Sequence, residues 1–285
     1  MRVRLAFFPG MFAALVLPVL AADHSPPADG GPEIPADLRG DDTHVLEELG
    51  VNEFTAPSIS KLFDTLSFLM PIPLADTERK RSERMPVERE DIAIELGFLI
   101  ADGFLIVQAE QLDKIEGLAN ELTRFGKQLG TGDRMNRQSA ALLELVKEEN
   151  NPDKIKRIKE LLSATQRDVE KELISLKDAD LAHLISLGGW IRALEVSSLA
   201  VHKQFSVERA RKVMREDIAD YYTESVAGLE PKISERPSYM KMRDLLAGMR
   251  SEMVLKDGEN PSPEKIAEIK DKAEELADLA LERKK

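Results

Sequence analysis

The residues best able to do chemistry in this chain interrupt two apolar stretches. Glu95 and Asp102 stand seven apart in IAIELGFLIADGFLIVQAEQL, so as a helix they share one face with Leu99 between them. In the second stretch, Asp178 to Phe205, Asp180 and His183 stand three apart and are followed by Arg192, Glu195 and His202. A carboxylate and an imidazole at i, i+3 form half of the arrangement with which helical bundles hold metal ions. The complete site needs the pair twice, with bridging carboxylates, and neither apolar stretch holds a second copy. Glu95, Asp102, Asp180 and His183 are therefore the candidates for a metal-dependent or acid–base enzyme with its site between two central helices. The competing expectation is that Arg192 and Glu195 pair locally while Glu95 and Asp102 meet solvent or a buried Arg or Lys, since buried charges are tolerated when paired.

Other reactive classes find less support. The chain has four histidines, two of them (His24 and His44) in or beside a polar N-terminal segment, and no cysteine to serve as a thiol nucleophile. No serine stands in a GxSxG elbow. The run Gly126-Lys-Gln-Leu-Gly-Thr-Gly-Asp133 lacks the GxxxxGK[ST] order and follows a helix rather than a strand. Gly130 as a helix C-cap and Asp133 as the next N-cap explain it. The basic run Glu78 to Arg84 reads as a solvated connector, with a phosphate or lipid-headgroup contact as the alternative. Nothing in the sequence calls for a cofactor.

Helices must position these groups. Leu184, Leu187, Ile191, Leu194, Ser198 and Val201 form one seam of the second stretch, the ordinary spacing of an apolar helix face. A second seam of Ala182, Ser186, Gly189, Ala193, Val196 and Ala200 holds almost only small side chains, so a neighbouring backbone can approach there. Gly188 and Gly189 each cost a helix interior about 1 kcal/mol relative to Ala, an expense that tight packing offsets. The 92–109 stretch is ambiguous, because Asp102-Gly103 between apolar runs is also a hairpin signal. Ile92, Leu96, Leu99 and Ile106 keep helical phase through the glycine, and no other strand candidate would complete a sheet. As a helix it places Ala93 and Gly97 against the small-residue seam.

The chain begins with MRVRLAFFPGMFAALVLPVLAAD, in which Arg2 and Arg4 precede an apolar run ending at Ala21. That is the layout of a secretory signal peptide, residues 1–21, with an uncleaved membrane anchor as the alternative. Its loss takes the formal net charge from -12 to -14, which gives no electrostatic case for nucleic-acid binding. No later segment reads as able to cross a membrane. Residues 22–57 are rich in Pro, Gly and Asp and read as flexible, with a short helix near 45–49. A helix over 58–70 ends at Met70-Pro-Ile-Pro-Leu74. Helical stripes follow over about 112–129 and 134–149, and a further one, with Pro152 in its first turn, carries Ile155 through Leu176. Run on into the next stretch, the last would make a helix of roughly 52 residues and nearly 80 Å, so a break is expected near Lys177 to Asp180. Ser206 caps a helix to about Gly228, and another, 238–255, carries a stripe of Met242, Leu246, Met249 and Met253. Residues 256–263 are a linker, and a C-terminal amphipathic helix occupies 264–285, docked on the bundle or on a partner.

The expected fold is an all-α bundle of about seven helices over residues 58–255 with that linked helix. The expected function is an exported, non-enzymatic protein, periplasmic or extracellular in a bacterium, that binds or scaffolds another envelope protein or a second copy of itself. The alternatives are the enzyme above and a carrier of a small apolar ligand. Contact with a membrane is expected only if the leader is retained as an anchor.

Overall fold

A computed structural model describes residues 34–38, 57–69, 72, 74–79, 84–149 and 152–282. The leader, the helix expected near 45–49 and residues 80–83 of the basic run lie outside the described residues. Among the described residues there are ten α-helices of seven residues or more: α1 (Ile59–Leu66), α2 (Arg89–Gln108), α3 (Ile115–Leu129), α4 (Gly132–Lys147), α5 (Lys154–Ser175), α6 (Ala179–Lys203), α7 (Val207–Val213), α8 (Glu216–Gly228), α9 (Pro237–Met253) and α10 (Pro263–Leu281). A single helical turn, Pro231–Ser234, joins α8 to α9. There is no strand among the described residues, and Asp102-Gly103 lies inside α2.

The boundaries follow local chemistry. Ser58, Ser206 and Ser262 each accept the backbone N–H three residues on, capping α1, α7 and α10. Gly130 closes α3 at φ 86°, in the left-handed region. Thr131, not Asp133, holds the N-cap position of α4; its hydroxyl donates to the Gly126 carbonyl, and Asp133 falls in the first turn, where a carboxylate suits the positive end of the helix. Lys177 at φ 63° separates α5 from α6.

The expectation of about seven helices undercounts. The helix expected over 206–228 divides, because Met214 and Arg215 leave helical geometry between α7 and α8. Arg215 bonds Asp217 and, with both terminal nitrogens, Asp37. The Asp37 contact corrects a second expectation. Ile34 and Leu38, within the segment expected to be flexible, are buried, so these two apolar residues anchor a stretch whose average composition argued against order.

Helices α2 and α6 are the centre. Both are buried on nearly every side, as a helix apolar all round must be in a folded protein, and they make the most extensive helix–helix contact. Around them pack α3, α10, α5 and α1, with α9 beyond. α6 is long and apolar enough to cross a membrane, contrary to the expectation for later segments, yet 94% of its most apolar window is buried inside the protein. The α2–α6 crossing is a contact of backbones. A Cβ on Gly97 would lie 1.9 Å from the Ile185 carbonyl oxygen, and one on Gly188 would lie 2.0 Å from that of Ile94. Neither position has room for a methyl group.

Gly97→Ala is expected to lower stability by about 1–3 kcal/mol, the usual range for overpacking, despite its better helix propensity. Gly117→Ala, where nothing lies within 4 Å, is expected to raise stability by up to about 1 kcal/mol. Urea midpoints of the two variants check this; equal midpoints would contradict the backbone contact.

Candidate functional site

The acidic and basic residues of the two central stretches form a chain of ion pairs. Arg192 on α6 donates through Nε to Asp102 Oδ1 on α2 at 2.8 Å and through NH1 to Glu195 Oε2 at 2.6 Å. The second oxygen of Glu195 takes Arg79, with NH2 at 2.6 Å and Nε at 2.8 Å. Arg79 then reaches Asp278 Oδ1 on α10 at 2.7 Å. Arg192 is 3% exposed and Glu195 8%. Burial opposes the Arg192 charge, but the facing Asp102 and Glu195 more than offset it and hold its pKa above the ordinary value. Arg79, expected in a solvated connector, instead ties α6 to the C-terminal helix.

The remaining candidates serve other contacts. Asp180 accepts the backbone N–H of Glu230 at 3.2 Å, at the start of the turn joining α8 to α9. His183 Nδ1 lies 3.2 Å from the Tyr221 hydroxyl on α8. Glu95 is buried, 7% exposed, on α2. Asp102 is thus bound to Arg192, while His183 meets the middle of α8 and Asp180 the turn beyond it. Among the described residues, no three His, Asp or Glu side chains come together in a way that could hold a metal ion.

The members of the small-residue seam divide between two neighbours. Ala93, Ala182, Ala193 and Ala200 are all buried. Gly97 lies against Ile185 and the backbone nitrogen of Gly189, whereas a Cβ on Gly189 would meet the side chain of Ile59 on α1 at 2.3 Å. Gly188 and Gly189 are one residue, about 100°, apart around α6, so they open toward different neighbours.

A polar cluster lies where α5, α6 and α8 meet. Gln166 accepts the Ile59 N–H at 2.9 Å and donates to the Pro57 carbonyl at 3.2 Å and to Glu170 Oε1 at 2.7 Å. Ser186 also donates to the Pro57 carbonyl, at 2.7 Å, and lies 2.7 Å from the Tyr222 hydroxyl. A serine hydroxyl has one proton, so Tyr222 is the donor of the second bond. Burial pushes the Glu170 carboxyl up to about 8 and His183 down to about 4. Both are neutral between those values. Burial likewise raises Tyr221 and Tyr222, with the facing Glu170 adding to it.

Glu170 and Gln166 escaped the sequence reading because they flank Thr165 and Val169, and one step from a buried stripe is where solvated charges usually stand. The signal was their i, i+4 spacing, which aims both at one neighbour. No family model matches the chain, and no curated protein or solved structure matches it either.

Two outcomes are expected. Arg192→Met, which strips one partner from Asp102 and Glu195, costs about 3–5 kcal/mol, and adding Asp102→Leu recovers part of it; urea unfolding measures both. The Glu170 pKa is raised on folding, so the stability it contributes is present below about 4.5 and lost as pH rises through about 8. His183 is depressed and acts in the opposite sense, losing stability as pH falls from 6.5 to about 4. Between pH 6.5 and 8 only the Glu170 loss operates. Wild type should therefore fall by up to about 1.4 kcal/mol per pH unit relative to Glu170→Gln. Parallel curves for the two proteins would contradict the buried carboxyl.

Proposed function

We propose that the chain is an exported, non-enzymatic helical protein that binds or scaffolds another protein in the envelope of a bacterium, on the periplasmic or extracellular side. The observation that carries the reading is the chain of ion pairs from Asp102 to Asp278. Of the candidates for chemistry, Asp102 is neutralised there by Arg192, and Glu195, Arg79 and Asp278 continue the chain between α2, α6 and α10. Groups held in this way fix helices relative to each other. They suit a frame that presents its outer faces unchanged to a partner.

Three further features support it. The first residues have the order of a secretory leader. The formal net charge is -12, which favours protein partners with basic surfaces over nucleic acid. The apolar stripe of α10, Ile266, Ile269, Ala273, Leu276 and Ala280, is buried on the bundle, so this helix offers a partner its charged face.

The test is affinity capture from envelope extracts by the purified exported chain, with chemical cross-linking before lysis. A defined envelope protein recovered stoichiometrically, and lost at high salt, is the expected result. An inert chain that recovers no partner and associates with nothing would overturn the reading.

A further inference from the structure

The stretches 34–38 and 57–69, here the arm, are gripped by the rest of the protein in an unusual way. Side chains of the body bond to the arm's main chain. Gln166 and Ser186 hold the Pro57 carbonyl, and Gln166 also takes the Ile59 N–H. Gln108 donates to the Phe63 carbonyl at 3.2 Å and Arg209 to that of Leu69 at 3.2 Å. An amide that reads a carbonyl and the N–H two residues on is how a binding cleft holds a peptide, whose backbone groups need partners wherever they are taken out of water.

The side chains of the arm fill slots in the same surface. Ile59 sits where Gly189 has no Cβ, Phe63 stacks on Phe104 with ring centroids 5.4 Å apart, and Asp37 receives the fork of Arg215. Within the arm, Ser58 donates its N–H to the Leu38 carbonyl at 3.0 Å, so the two stretches bind as one unit. Its helix, α1, has eight residues. Helices shorter than about 12–15 residues are marginal in water, and the groove therefore supplies the order of α1.

From these contacts we propose that the arm exchanges between two copies of the chain, each inserting its residues 34–38 and 57–69 into the groove of the other. The occupant is the one sequence known to fit, and the groove on a second copy offers it the same contacts. Exchange consequently costs little beyond association itself. The connection favours it. The arm is joined to the body at its C-terminal end by the short stretch Met70-Pro71-Ile72-Pro73, so one connection is all that exchange has to redirect there. No cysteine fastens the arm to its own body. This inference rests on the scaffolding reading and names a second copy as one partner.

The absence of cysteine also makes the test clean. Ile59→Cys with Gly189→Cys places two thiols at the slot, where trimming Ile59 makes room for the new Cβ. Air-oxidised at high protein concentration, the double variant should give a disulfide of dimer mass on a non-reducing gel. Independently of that variant, isotope-labelled and unlabelled wild-type chains, partly unfolded together in urea and returned to buffer, should give a dimer of intermediate mass by native mass spectrometry. A disulfide of monomer mass together with a monomeric wild type would overturn the proposal. So would a wild-type dimer whose cysteine pair closes only within one chain, because association then runs through outer faces. Capture of an envelope protein by a chain that stays monomeric would sink arm exchange and leave the scaffolding reading standing. A mixed dimer without any captured protein would do the reverse for partners other than a second copy.

Discussion

Everything in this fold depends on two helix backbones being in contact. Gly97 and Gly188 leave α2 and α6 closer than any side chain would allow, and at that distance main-chain and side-chain dispersion contacts accumulate over the whole crossing. Two helices apolar on nearly every face must be covered by further structure, and among the described residues eight other helices and a single turn supply it. The glycines are costly in helix propensity. Their return is a crossing that only one register of the two helices permits.

The shared face of that crossing sets where charge can be tolerated. Arg192 stands there with its side chain 4% exposed, and its charge is tolerated because Asp102 and Glu195 pair it. Pairing carries the charge outward in steps, from Asp102 through Arg192, Glu195 and Arg79 to Asp278, whose side chain is 67% exposed. Three acids and two bases leave one negative charge in excess. It falls at the solvent end, where hydration rather than protein compensates it. The polar cluster around Gln166 follows a different rule, since Glu170 and His183 shed their charge and satisfy themselves by hydrogen bonds as neutral groups.

The all-α class and the central place of two stretches were legible because hydrophobic period is a local property. So were the break at Lys177 and the cap at Gly130, each written in one or two residues. The local pairing of Arg192 with Glu195 is likewise an i, i+3 contact. What the sequence hid was long-range. Arg79 looked like one basic residue among several, and only the position of Glu195, 116 residues away, gives it a role. Gln166 and Glu170 were concealed by standing beside a stripe rather than in it. Arg215 hid a helix break, because the apolar spacing of Val207 to Tyr221 continues across it. Ile34 and Leu38 were lost in an average dominated by proline, glycine and aspartate.

The bond between Arg79 and Asp278 spans 199 residues, and those between Pro57 and its clamp span 109 and 129. Arg79 therefore gains its Asp278 partner only once α10 has docked, although Glu195 holds it from α6. Contacts of such separation form slowly, because loop closure must come before they contribute. The docking of α10 thus completes a contact begun at residue 79, and without it Arg79 would keep Glu195 but lose the tie that joins α6 to α10.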